Sequence, residues 1–128
     1  MRRLQGLLPL LALAACALRL SGAPRVETRL FFGLATPERT VSEEEWQSFL
    51  REVVTPRFPE GLTFFDARGQ FRRHDAQETV AEDTRMLLLL HGGDAAADAA
   101  IGAIIAEYKR RFHQESVLRI DSAAGVSF

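Results

Sequence analysis

The sequence predicts an α+β domain with the ferredoxin-like order βαββαβ, in which two helices cover one face of a four-stranded antiparallel sheet. Two amphipathic helical patterns and four strand-like runs occur in this order along the chain. Right-handed crossovers then place both helices on the same side of the sheet. The 128 residues are 47% hydrophobic and 26% charged, which is typical of one globular domain. We therefore expect Trp46 and Ile104, one from each helix, to share a single core.

The first helix has the clearest start and end. Ser42 is followed three residues later by Glu45, which is the pattern of a capping box. Apolar residues, beginning with Trp46, then recur at helical spacing until Pro56 interrupts them. The run at residues 28–33, which is rich in β-branched, aromatic and leucine residues, predicts the first strand before this helix.

Three segments are predicted between the two helices. The pattern indicates a second strand at residues 62–66, a turn at 67–69 that sends residues 71–73 back as a short ribbon, and a polar loop at 74–83. The continuous apolar run at residues 86–90 is typical of a central strand that is covered on both faces.

The second helix is predicted to begin after Asp94, whose carboxylate can cap it. Its buried stripe comprises Ala97, Ile101, Ile104, Ile105, Tyr108 and Phe112. Residues 91–94, His-Gly-Gly-Asp, are interpreted as the turn from the third strand into this helix. The last strand is predicted at residues 116–121, with residues 123–128 as an extension.

The N-terminus has the pattern of a bacterial lipoprotein signal. Two arginines precede a short apolar stretch, and Leu13, Ala14, Ala15 and Cys16 follow it. These four residues resemble the lipobox, in which a signal peptidase cuts before a cysteine that carries a lipid. We therefore predict a signal peptide at residues 1–15, a lipidated cysteine and tether at 16–25 and one domain at 26–128. The predicted location is the periplasmic side of a cell-envelope membrane. Ala17 favours the outer membrane by resemblance to enterobacterial lipoproteins.

Composition excludes several classes of function. Cys16 is the only cysteine, so its acylation leaves no thiol for catalysis or for an intrachain disulfide. Removing residues 1–15 takes away two arginines and leaves 14 basic against 17 acidic side chains, a formal charge of −3. Such a balance predicts no nucleic-acid binding. The chain has no phosphate loop, dinucleotide fingerprint or paired metal-binding histidines, so we expect no metal and no cofactor.

Two segments carry a family resemblance. They are Thr-Pro-Arg-Phe-Pro-Glu-Gly-Leu-Thr at residues 55–63 and Tyr-Lys-Arg-Arg-Phe-His-Gln-Glu-Ser-Val at 108–117. With Phe32-Gly33 and Trp46, they resemble a family of small exported bacterial proteins described as domain of unknown function 3574. The resemblance covers about residues 25–128 and implies one domain with no assigned activity.

The face of the sheet without helices is the predicted functional surface. Counting alternate residues along the strands places Arg29 and Phe31 on it, together with Leu87, Leu89 and His91. This apolar face is expected to be covered by a second copy of the chain, by a ligand or by its own loops. Arg29, His91 and Arg119 are predicted to converge there and to bind a small anionic ligand, unless Asp121 or another carboxylate already neutralises them.

The sequence leaves three functions open. The first is a ligand-binding or interaction module that is tethered to the envelope membrane. The second is a cofactor-free enzyme resembling the dimeric α+β barrel oxygenases and isomerases, with the open face as its pocket. The third is a structural envelope lipoprotein whose domain only docks to another protein. Fold alone does not separate them.

Overall fold

A computed structural model describes residues 21–72 and 77–128. Its elements, in chain order, are β1 (Ala23–Gly33), α1 (Glu43–Phe49), β2 (Thr63–Arg72), β3 (Thr79–His91), α2 (Ala95–Phe112) and β4 (Leu118–Val126). The predicted α+β class and βαββαβ order are confirmed. No helix within these residues is long and apolar enough to cross a membrane. The predicted signal peptide and Cys16 lie outside the described residues.

The four strands form one sheet in the order β2-β3-β1-β4, and all neighbours are antiparallel. Each helix therefore connects two parallel strands that are separated by one other strand, which is the split βαβ arrangement. The apolar run at residues 86–90 lies in β3, between β2 and β1. The prediction that this run is a central strand is confirmed, but the helices cover only one of its faces, since Leu90 on the other face is 44% exposed.

One core lies between the sheet and both helices. Leu30 of β1 and Leu87 of β3 are paired across the sheet and are fully buried on the helix-covered face. Trp46 and Ile104 are also fully buried in this core, which confirms that both helices lie on the same face. Tyr108 donates a hydrogen bond from its hydroxyl to the carbonyl oxygen of Gly33 at 2.7 Å. Burial raises the pKa of Tyr108 well above its usual value.

Helix α1 begins and ends as its sequence predicts, with one difference at its end. Ser42 and Glu45 form the reciprocal hydrogen bonds of a capping box. After Phe49 the helix widens into a π-helical turn over Leu50–Val54, in which the amide of Thr55 bonds the carbonyl of Leu50 at 2.8 Å.

The segment between the helices differs from the prediction. β2 continues through residues 67–69 without a turn, because Gly69 pairs with Glu82 of β3 and does not have a positive φ. Pairing with β3 therefore outweighs the local turn pattern. The second difference is that β3 begins at Thr79, inside the segment that was predicted to be a loop. The two strands together form an arm that extends from the sheet, while residues 73–76 lie outside the described part.

The N-terminal edge of the domain also differs. β1 begins at Ala23, so residues 23–25, which the sequence assigns to the tether, pair with residues 124–126 of β4. The predicted extension of the last strand is confirmed as far as Val126 and supplies this pairing partner.

Acid sensitivity follows from the α1 capping box. The pKa of Glu45 is lowered to about 2 from its ordinary 4.5, first by hydrogen bonds from Arg39 and then by the backbone amide of Ser42. The carboxylate therefore stabilises the fold above about pH 4.5, and this contribution is lost as the pH falls towards about 2. Because the Glu45 side chain is 33% exposed, solvent screens the effect.

We expect Glu45→Gln to lower the urea midpoint at neutral pH and to flatten its decline in acid. Unfolding followed by circular dichroism at several pH values measures both effects. Glu44→Gln makes the same change one residue away, outside the capping box, and should retain the wild-type acid profile. Parallel pH curves for wild type and Glu45→Gln would contradict this account.

Candidate functional site

A cleft of about 270 Å³ lies where β3 ends and α2 begins, and residues of β1 and β4 complete its lining. We call it the β3–α2 cleft. Its lining residues are Val26, His91, Gly93, Asp94, Ala95, Asp98, Arg119 and Asp121. The lining comes from three of the four strands and from α2.

The turn from β3 into α2 shapes one wall of the cleft, as the sequence predicts for residues 91–94. Gly93 has a φ of 75°, and a Cβ at this position would lie 2.7 Å from Cγ2 of Val26. The turn therefore requires glycine both for its backbone conformation and for its approach to β1. Asp94 then caps α2, and its Oδ1 accepts a hydrogen bond from the amide of Ala97 at 2.8 Å.

A hydrogen-bond network at the base of the cleft centres on Thr28. This side chain is fully buried on the helix-covered face of β1. Its hydroxyl lies 2.8 Å from Nε2 of His91 and donates to Oδ1 of Asp121 at 2.5 Å. Nδ1 of His91 accepts from the amide of Gly93 at 3.0 Å, so the ring proton is assigned to Nε2, which donates to Thr28. The imidazole is neutral in this arrangement.

Arg119 connects the network to α2. Its Nε lies 2.9 Å from Oδ2 of Asp121, and its Nη1 lies 2.8 Å from Oδ1 of Asp98. The hydrogen bond from Thr28 lowers the pKa of Asp121, and Arg119 lowers it further. Asp121 is therefore ionised at neutral pH and holds Arg119 in position along the cleft.

The charge of the cleft is negative. Three carboxylates, those of Asp94, Asp98 and Asp121, face one guanidinium, that of Arg119. His91 adds no charge in its neutral form. Such a site favours a cation over an anion. Within residues 21–72 and 77–128, no group of three histidine, cysteine, aspartate or glutamate side chains is placed to hold a metal ion.

His91 and Arg119 both line the β3–α2 cleft, but the predicted convergence of Arg29 with them on the open face is wrong. Arg29 pairs across the sheet with Leu88 and with Ile120, on the face without helices. His91 and Arg119 lie on the other face, where His91 is opposite Val26 of β1. Arg29 instead pairs with Glu27, and its Nε lies 3.1 Å from Oε1 of that side chain. Carboxylates pair with both arginines, Arg29 with Glu27 and Arg119 with Asp98 and Asp121. This is the alternative that the sequence left open.

The error arose in the assignment of faces along β3 and β4. Leu87 and Leu89 are fully buried under the helices, so they do not lie on the open face as predicted. Leu118 and Ile120 lie on the open face and are exposed, whereas Arg119 between them lies on the helix-covered face. Phe31 lies on the open face as predicted.

Sequence reasoning missed Thr28 and Asp98 as members of this site. The sequence contained a sign of Thr28, because Thr28, Leu30 and Phe32 are alternate residues on one face of the first strand and Thr28 is the polar one. Asp98 follows the capping Asp94 by about one helical turn, which places both carboxylates at the same end of α2.

A family model for proteins of unknown function, DUF3574, matches residues 27–128. The chain belongs to the DUF3574 family. The match confirms the resemblance found in the sequence and includes every residue of the cleft lining except Val26. None of the curated proteins compared with this DUF3574 chain matches it.

Two solved structures share the fold of this DUF3574 domain. One is a phage SAM lyase in complex with S-methyl-5′-thioadenosine, with 19% sequence identity and a TM-score of 0.62, covering 84% of this chain and 87% of the lyase chain. The other is a phage SAM lyase in its apo state, with 20% identity and a TM-score of 0.61, covering 84% and 86% of the two chains. At this level of identity the likeness establishes the fold alone.

Proposed function

We propose that the domain binds a small cationic organic ligand, such as an amine or a sulfonium compound, in the β3–α2 cleft. The observation that carries the proposal is the excess of carboxylates around a cleft in which His91 and Asp121 are held by the buried Thr28. Thr28 occupies a core position that an apolar residue would fill without cost, since burying a hydroxyl is unfavourable unless it is hydrogen-bonded. Its two partners, His91 and Asp121, both line the cleft. Departures from the apolar pattern of this kind are typical of functional sites.

The carboxylates at the start of α2 are the expected contacts of the cation. Within residues 21–72 and 77–128, each of these carboxylates uses one of its two oxygens. Oδ1 of Asp94 accepts a hydrogen bond from the amide of Ala97, and Oδ1 of Asp98 pairs with Arg119. The second oxygen of each carboxylate can accept a hydrogen bond from an ammonium group or contact a sulfonium carbon. A cleft of about 270 Å³ is slightly smaller than the usual ligand pocket of about 300–1,000 Å³, so it suits a small ligand.

The fold likeness supports the choice of ligand class. The two phage lyases are named for SAM, which is a sulfonium cation. S-methyl-5′-thioadenosine is a related thioether without this charge. The pair therefore separates recognition of charge from recognition of the adenosine group. Putrescine provides a cation without adenosine.

Calorimetric titration of the full chain with these three probes tests the proposal. We expect SAM or putrescine to bind and S-methyl-5′-thioadenosine to bind more weakly than SAM. Asp98→Asn removes one charge at the cleft, and we expect it to weaken binding of the cation by about fivefold to tenfold. Asp83→Asn is the matched control, because Asp83 is also an exposed aspartate paired with an arginine, Arg68, but lies on the arm.

Two results would contradict the proposed cation site. One is the absence of heat for both SAM and putrescine. The other is equal weakening by Asp98→Asn and Asp83→Asn, since a general effect of net charge would then explain the data.

A second candidate is an enzyme that acts on the same ligand. The fold shared with a lyase favours it, and so does the chain of hydrogen bonds from His91 through Thr28 to Asp121, which offers a path for a proton. Incubation with SAM followed by chromatography distinguishes the two functions. Release of S-methyl-5′-thioadenosine that is lost in Thr28→Val favours the enzyme, whereas unchanged SAM with measurable binding favours the binding module.

We also propose that the chain is exported and attached by a lipid on Cys16 to an envelope membrane, with the domain in the periplasm. This proposal is supported by Leu13, Ala14, Ala15 and Cys16, which lie outside the described residues. An anchored domain of this kind would bind its ligand close to the membrane surface.

A further inference from the structure

We propose that the open face of the sheet, the face opposite the helices, is the interface of a homodimer. The first observation is where the exposed apolar side chains lie. Among the described residues, the six large hydrophobic side chains that are most exposed include five from this one face. They are Phe65, Phe71, Leu90, Leu118 and Ile120. A contiguous apolar surface of this kind marks a contact with another molecule.

The register shows that these side chains form a continuous surface. Phe65 is opposite Met86, Phe71 is opposite Val80, and Leu118 is opposite Phe31. The apolar surface therefore crosses all four strands and extends along one side of the β2–β3 arm.

The size of the face fits a dimer. The four strands are staggered and contain 43 residues, each of which covers about 3.3 Å along the strand and about 4.8 Å across it. This gives about 700 Å² of flat sheet, to which side-chain relief adds, compared with about 800 Å² per partner in a standard interface. Packing of two such faces gives a sandwich of two sheets about 10 Å apart.

Charge complementarity selects a second copy as the occupant. Glu27 and Arg29 lie side by side near the middle of the face, with Nε of Arg29 3.1 Å from Oε1 of Glu27. A two-fold axis that passes between them exchanges their positions, so that each Arg29 meets the partner's Glu27. The strands contribute two arginines and two glutamates to this face, Arg25, Arg29, Glu27 and Glu82. A face with no net charge does not favour an anionic membrane surface.

Sedimentation velocity of the full chain carrying Cys16→Ala tests the dimer. Cys16 is the only cysteine, so this background excludes both acylation and disulfide-linked pairs. We expect a dimer at low micromolar concentration. Phe65→Asp places a charge on the open face and should give a monomer with an unchanged circular dichroism spectrum, because this side chain is 46% exposed. Gln70→Asp introduces the same group on the opposite side of the same strand and should remain dimeric.

A charge exchange tests the pairing itself. Arg29→Glu should raise the dimer dissociation constant by about tenfold or more, because four carboxylates then face one another. Adding Glu27→Arg should restore the wild-type constant. A monomeric parent chain overturns the proposal, and cosedimentation of that monomer with phosphatidylglycerol vesicles would assign the face to a membrane instead. A dimer that Phe65→Asp and Arg29→Glu both leave intact also overturns it, since the contact would then lie elsewhere.

Discussion

Trp46→Ala is expected to lower the free energy of unfolding by about 3–5 kcal/mol. Trp46 is fully buried, and its ring lies 5.5 Å from that of Phe32 and 5.8 Å from those of Phe49 and Phe64, measured between centroids. Alanine would leave a cavity at the contact between α1 and the sheet, and this aromatic cluster cannot collapse to fill it without losing its own contacts. The loss is large relative to the total stability of a domain of this size.

Urea denaturation followed by far-ultraviolet circular dichroism measures this loss, because Trp46 is the only tryptophan and its fluorescence disappears with it. Trp46→Phe is the informative control. Within residues 21–72 and 77–128, Nε1 of Trp46 is buried without a hydrogen-bond partner. Phenylalanine removes this unsatisfied donor while it keeps most of the ring, so its cost should be well below that of alanine. A loss under about 1 kcal/mol for Trp46→Ala would show that the helix and sheet do not pack as described.

Cys16→Ala is expected to abolish incorporation of labelled palmitate when the chain is expressed in a bacterial host. The reason is that the thiol is the acceptor of the lipid in the lipobox pattern, and the chain has no other cysteine. Wild type should be labelled and should begin at Cys16 when the mature protein is analysed by mass spectrometry. Ser21→Ala lies outside the lipobox and should be labelled as wild type is. An unlabelled wild-type product that begins at another residue would contradict the lipoprotein proposal.

The sequence predicted the elements that depend on local patterns. The capping box at Ser42 and Glu45 marked the start of α1, and the apolar run at residues 86–90 marked a central strand. The first signal is local, because a cap satisfies amides within one turn. The second identified a central strand although helices cover only one of its faces, since the side chains on the open face are apolar as well. The turn predicted at 67–69 failed because its local signal competed with pairing to a strand that follows later in the chain.

The candidate site depended on which face of the sheet each side chain occupies, and this was harder to predict than the strands themselves. In the run at residues 86–90 every side chain is apolar, so nothing in the sequence distinguishes the core-facing Leu87 from the open-facing Leu88. In β4 the apolar Leu118 is exposed while Arg119 lies on the helix side, next to Asp98 of α2. An apolar open face reverses the usual relation between hydrophobicity and burial. The predicted group of Arg29, His91 and Arg119 was divided between the two faces for this reason.

The early start of β1 would limit how far the domain can move from the proposed anchor at Cys16. With β1 beginning at Ala23, only the six residues 17–22 remain between the anchor and the sheet, and fully extended they reach about 20 Å. The same end of the sheet holds His91, opposite Val26, and therefore the β3–α2 cleft. A tether this short would keep the β3–α2 cleft within a few headgroup diameters of the bilayer.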